Sequence, residues 1–246
     1  MRLVPFYPNN EYRIIQRKYV VAEFRFSDFL ENDREKLKQE AAFLSNNVNN
    51  RAANSGDRRS SENLLNDAIA GLLAEYATMY LINLCDLGNA FRPKSDSSYD
   101  QIDIIWEQEH ATYTIEVRSS FVRNGIDFAL YSVDKNTKLP YFDILGPYYQ
   151  DSYKPTYEEI RDFYSRVLFK GDNKNVMDRF INNDEEFYLI GFYPGKAMIT
   201  LDYHKKLFPG SAFTKAGNLS GDYYVSPIVN IMDIDTVIDL FQERQD

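Results

Sequence analysis

Tyr99-Asp100-Gln101-Ile102-Asp103-Ile104-Ile105-Trp106-Glu107-Gln108-Glu109-His110-Ala111-Thr112-Tyr113-Thr114-Ile115-Glu116-Val117-Arg118-Ser119-Ser120 is the stretch on which the fold and the chemistry turn. Residues 101–107 and 111–119 read as two short strands, and Gln108-Glu109-His110 suits a hairpin turn between them. Alternate side chains of a strand share a face. Tyr113, Ile115 and Val117 therefore point into a core, while Thr114, Glu116, Arg118 and Ser120 point the other way. A carboxylate and a cation two residues apart on an otherwise apolar strand are an odd choice for packing alone. The hairpin can bring Asp103, on the preceding strand, alongside Glu116. Asp100 is a second candidate for that place; Asp103 is preferred because Ile102 and Ile104 flank it.

Working outward, Leu64, Leu65, Ala68, Ile69, Leu72, Leu73, Tyr76, Met79 and Tyr80 recur at helical spacing and predict a helix over 62–82. Ser60 or Ser61 can cap its start. Residues 12–26 read as one long strand or a hairpin. Residues 32–44 favour helix, and the Asn- and Ser-rich 45–61 reads as a loop. Further on, 156–170 reads as an amphipathic helix and 121–156 as apolar pieces between breakers. Residues 186–193 and 196–202 read as a strand pair around Pro194-Gly195, and 233–243 as a closing helix. This mixture predicts an α/β fold with a mixed central β-sheet flanked by helices. It is organised as one domain over 1–246, with the core at about 60–202 and elaborations at both ends.

Composition narrows the chemistry. With 44% hydrophobic and 15% aromatic residues among 246, the chain can bury a sizeable core. Its one cysteine excludes an internal disulfide framework, and its two histidines, His110 and His204, argue against a His-rich metal site. A metal would be held by carboxylates, which suits Mg²⁺ or Mn²⁺. The first residues lack the apolar run of a signal peptide, and no stretch approaches 18 apolar residues, so a cytoplasmic chain with no membrane span is expected. The net charge of −9 argues against a general polyanion binder, although a basic cleft can sit on an acidic body.

An Asp on one strand followed by Glu-x-Arg on the next resembles the active-site pattern of the PD-(D/E)XK nucleases, whose core is a mixed sheet flanked by helices. Gly71-Leu72-Leu73-Ala74-Glu75-Tyr76-Ala77-Thr78-Met79-Tyr80-Leu81 looks like that family's first core helix, which often carries a Glu facing the site. The resemblance covers about residues 60–120. Arg118 stands where the family usually has Lys, and no Pro-Asp pair precedes the second strand.

The resemblance implies a restriction-endonuclease-like core and a metal-dependent endonuclease acting on DNA, of restriction or other defence type, commonly a homodimer. Asp103, Glu116, Arg118 and Glu75 would be its catalytic residues. Asp103, Glu116 and the Val117 carbonyl would hold the Mg²⁺ or Mn²⁺, with no organic cofactor. The chemistry fits those residue types. Phosphodiester hydrolysis needs an activated water and charge stabilisation, and a cation held by two carboxylates supplies both. Arg cannot serve as the base, so Arg118 would contact the scissile phosphate, with Glu75 acting through a water. Two other readings stand beside this one: an inert nuclease-fold binding module, and a repair or recombination nuclease acting on branched or single-stranded DNA. The plain alternative for Glu116 and Arg118 is a surface ion pair, which costs little and is common. The tyrosines Tyr148, Tyr149, Tyr153 and Tyr157 can stack on bases or simply pack.

Overall fold

The computed structural model describes residues 1–8, 15–47, 61–93, 102–136, 138–150, 159–200, 205–207 and 222–242. Strands β1 (Arg2–Phe6) and β2 (Tyr19–Phe24) precede helices α1 (Glu31–Asn47) and α2 (Ser61–Leu84). A meander follows: β3 (Asn89–Phe91), β4 (Ile104–Glu107) and β5 (Thr112–Val122). Then come α3 (Ile126–Tyr131), β6 (Asp143–Gln150) and β7 (Phe163–Lys170). A π-helical turn, Met177–Asn182, leads to β8 (Phe187–Pro194) and α4 (Gly195–Thr200). The chain continues through β9 (Lys205–Leu207), β10 (Asp222–Pro227) and β11 (Met232–Asp233) to α5 (Ile234–Gln242).

The main sheet has the order β1-β2-β8-β7-β5-β4-β3, with β11 also pairing with β8. Its pairings are antiparallel except β5 with β7, which is parallel. A parallel pair needs a crossover connection; this one contains α3 and β6. A smaller sheet, β6-β10-β9, is antiparallel. The expected mixed sheet flanked by helices is therefore present.

Each face of the main sheet has its own core. On one, α1, α2 and α5 pack Leu37, Ile69, Leu73, Ala77, Val237 and Phe241 against Trp106, Ile115, Phe163, Val167, Phe169 and Phe192. Helix α2 is apolar almost all round, as befits a helix held between α1 and the sheet. On the other face, α3, α4 and the small sheet bring Leu130, Met198, Ile144 and Tyr224 onto Tyr164, Leu168, Tyr188 and Ile190. Strand β11 closes tightly on β8. Gly191 has φ +155°, and a Cβ there would lie 2.0 Å from the Met232 carbonyl oxygen.

Several expectations are corrected. The helix read over 156–170 is instead strand β7 where described, at 163–170. Both of its faces are buried, and a strand apolar on both sides mimics helical periodicity. The strand read over 196–202 is helix α4, built from the helix formers Lys196, Ala197 and Met198. Among the described residues of 12–26, only 19–24 forms a strand, and Phe26–Asp28 is a 3-10 turn. Helix α1 runs to Asn47, into the stretch read as loop, and residues 48–60 lie outside the described residues.

Candidate active site

Strand β5 follows the expected alternation. Tyr113, Ile115, Val117 and Phe121 join the core under α2, and Val122 joins the opposite core. Glu116 and Arg118 therefore project from the face covered by the small sheet. The β4–β5 register pairs Ile104 with Ile115, which places residue 103 across from residue 116. Asp103 is not inside the strand, as the sequence reading had it, but in a bend just before β4. Its position has a local cause: the Asp103 carboxylate accepts a 2.8 Å bond from the Val117 N–H, continuing the ladder where β4 has not yet begun. Both main-chain groups of one strand residue point the same way, so the Val117 carbonyl is aimed at this margin too. Asp100, the second candidate, lies outside the described residues, as do Tyr153 and Tyr157.

Glu116 is buried and sits among cations. Arg118 Nη1 lies 3.2 Å from its Oε1, and Arg161 Nε lies 3.8 Å from its Oε2. The Arg118 Nη2 donates to the Gly146 carbonyl of β6 at 3.4 Å. Arg161 is held in place from both sides. Next to it, the Asp162 carboxylate accepts bonds from the Thr114 N–H and hydroxyl, each 2.8 Å. The Gly195 N–H donates to the Asp162 carbonyl at 2.9 Å, and a Cβ on Gly195 would lie 2.0 Å from the Arg161 carbonyl oxygen. The start of β5 and the start of α4 thus clamp the segment that carries Arg161.

Glu75 approaches from α2, on the other side of the sheet. Its Oε2 lies 2.5 Å from Arg92 Nε, and Arg92 also pairs with Glu40 of α1. Burial pushes the Glu75 carboxyl up to about 7; Arg92 opposes the shift, and the charge of Glu116 adds to it. A carboxyl poised there can exchange a proton near neutral pH.

Reading the sequence missed three arginines at this centre: Arg92, Arg161 and Arg166. The last lies beside Arg118 in the β5–β7 register and is buried. The signal for it was a lone charge in the apolar run Phe163-Tyr164-Ser165-Arg166-Val167-Leu168-Phe169, the same oddity that marked Glu116 and Arg118. Taking that run for a helix hid it.

The donor set can be weighed against a divalent cation. Among the described residues, no group of three His, Cys, Asp or Glu side chains converges. Mg²⁺ does not require one, because it is commonly held by one or two carboxylates plus substrate phosphates and water. A carboxylate has about four acceptor positions, so the Val117 bond does not exhaust the capacity of Asp103. Asp103, Glu116 and the Val117 carbonyl fit such an ion on these grounds. Comparisons of the chain with protein-family models, with curated proteins and with solved structures found no match.

Proposed function

We propose that the chain is a metal-dependent nuclease hydrolysing DNA phosphodiester bonds, with Asp103, Glu116, Arg118 and Glu75 at its centre. One observation carries the reading: Asp103 reaches the β5 main chain at Val117, between Glu116 and Arg118, so Asp103, Glu116 and Arg118 meet at one margin of paired strands. The mixed sheet and the helix bearing Glu75 agree with the resemblance noted from the sequence.

In this reading Asp103, Glu116 and the Val117 carbonyl hold Mg²⁺ or Mn²⁺. The ion supplies a Lewis acid and an activated water. Arg118 exchanges its pairing with Glu116 for a bidentate grip on the scissile phosphate. Arg161 keeps the Glu116 carboxylate turned toward the site. Glu75, with its carboxyl near 7, takes up a proton through a water. A restriction or other defence endonuclease, acting in the cytoplasm as a homodimer, is the form proposed.

One observation favours a second reading. Glu116 is engaged by two guanidiniums, as it would be in an inert nuclease-fold module that binds a partner without cleaving it. Incubation with plasmid, single-stranded and branched DNA, and with RNA, in Mg²⁺, Mn²⁺ or EDTA separates the two. Cleavage that needs the metal is expected. Intact substrates throughout would discard the nuclease in favour of the binding module.

A further inference from the structure

Arg166 is a buried cation whose surroundings among the described residues do little to hold its charge. It is only 4% exposed, midway along β7, and its face of the sheet carries Tyr164 and Leu168 on either side. Its Nε and Nη1 are sealed from solvent and have no hydrogen-bond acceptor among the described residues, and no carboxylate there pairs with it. Burial and the neighbouring Arg118 pull the Arg166 guanidinium down only to about 10, with Asp143 of β6 opposing, so it stays charged at neutral pH. An uncompensated buried charge is among the most costly things a fold can hold, and buried polar groups without partners call for an explanation.

The surroundings supply one. Arg118 and Arg166 are register partners on parallel strands, so two guanidiniums stand side by side on one face. A bulge interrupts the β7–β8 ladder between Arg166 and Val167, a distortion that often accompanies functional sites. Arg118, the register partner of Arg166, has a side chain 22% exposed. Arg161 stands nearby on the far side of Glu116, so the carboxylate of Glu116 is shared by two guanidiniums and does not reach Arg166 as an ion-pair partner. Planar forks of donors match tetrahedral oxyanions bidentately.

We infer that Arg166 and Arg118 together form a binding site for one phosphate group, with Arg166 as its buried floor. Two sources offer that chemistry: the backbone of a nucleic acid, and free phosphate. The site rests on the proposed nuclease function only for the first, since it would seat the same scissile phosphate that Arg118 grips in that reading.

The test uses the full chain in EDTA, where cleavage plays no part. Inorganic phosphate and a short single-stranded oligonucleotide are titrated separately against chloride at matched ionic strength, with melting temperature and calorimetry as readouts. Wild type should be stabilised by at least one of the two. Arg166→Met should weaken that binding roughly 10- to 100-fold, the range of charge-assisted hydrogen bonds. Arg166→Lys should recover part of it. In chloride alone, Arg166→Met should melt at or above the wild-type temperature, because it removes an unpaired buried charge. Stabilisation by phosphate identifies a free-anion site; stabilisation by the oligonucleotide alone identifies a backbone site. Wild type indifferent to both, or Arg166→Met binding as tightly as wild type, would overturn the site. If Arg166→Met does not fold, the wild-type titrations and Arg166→Lys decide. Binding sensitive to Arg166 in a protein that cleaves nothing would keep this site while discarding the nuclease.

Discussion

The two faces of the main sheet are built by alternate residues of the same strands, yet they differ in kind. Under α2 the strands' own side chains are aromatic and aliphatic, the ion pairs of Glu75, Arg92 and Glu40 lying on the helices and just past β3. Trp106 stacks within 4.4–6.3 Å of Tyr113, Phe163, Phe192 and Phe241, and its Nε1–H donates to the Leu87 carbonyl at 2.8 Å. The buried hydroxyls of Thr78 and Ser165 lie 3.4 Å apart, and Thr78 also donates to the Ala74 carbonyl at 2.9 Å. Under the small sheet, Glu116, Arg118 and Arg166 replace apolar residues on the same two central strands. Packing rewards the first arrangement and penalises the second, since burying charge costs several kcal/mol per ion unless pairing repays it. The difference teaches where to look: both faces carry a packed core, but on the central strands the charges that packing does not require are gathered on one of them.

That contrast can be broken from either side. The largest effect is expected on the charged face: Glu116→Gln or Asp103→Asn should reduce metal-dependent cleavage on the order of 10³-fold or more while the circular dichroism spectrum stays native. Near-normal cleavage by both variants would remove them from the site. On the apolar face, Trp106→Ala should cost about 3–5 kcal/mol of stability by leaving a cavity among four rings. Urea titration measures it, and a loss below about 1 kcal/mol would refute the division of labour. Arg118→Ala should take roughly 2–4 kcal/mol from transition-state stabilisation, with Arg118→Lys recovering part. Single-turnover cleavage at saturating metal reads both, and equal rates in all three proteins would reduce Arg118 to an ion-pair partner of Glu116.

The smallest effect concerns Glu75, which approaches the charged centre from the α2 side. Its folded pKa of about 7 is above the ordinary carboxyl value of 4.5. The folded state therefore holds its proton more tightly than the unfolded chain. The resulting stability is fully present below about pH 4.5 and is lost as pH rises toward 7. Glu75→Gln should remove this contribution, on the order of 1–3 kcal/mol, and flatten the stability profile between pH 4.5 and 7. Parallel profiles for the two proteins would place Glu75 in a solvated pairing with no strain on its charge.

The hairpin was the most legible part of the sequence, because period-2 alternation at 112–118 fixes which side chains share a face without reference to anything distant. Helix α2 was legible for a similar local reason, its apolar residues spaced by three and four. Strand β7 was not. Phe163, Ser165, Val167 and Phe169 face one core and Tyr164, Arg166 and Leu168 the other, so no polar face marks it as a strand. Its identity is decided by β5 and β8 on either side, which are far away in sequence. The site divides along the same line. Glu116, Arg118 and Asp103 could be related through one short turn. Arg161 and Arg166 reach them only through a parallel pairing whose crossover contains α3 and β6, and Arg92 only through the packing of β3 beside α2.

The position of β8 has a consequence for how the molecule comes into being. It is inserted between β2 and β7, with Ala22 pairing with Leu189 and Val167 pairing with that same residue. As the chain leaves the ribosome, β1 and β2 can form one ribbon and β3, β4, β5 and β7 another, but among the described residues no strand pairing joins them until Phe187–Pro194 has been made. Both ribbons meanwhile present open edges, β2 with its Tyr19-Val20-Val21-Ala22-Glu23-Phe24 run and β7 with an apolar run of its own. Translation therefore leaves the nascent chain with two sticky half-sheets from the completion of β7 until β8 has been made, and the last third of the message decides when they become one.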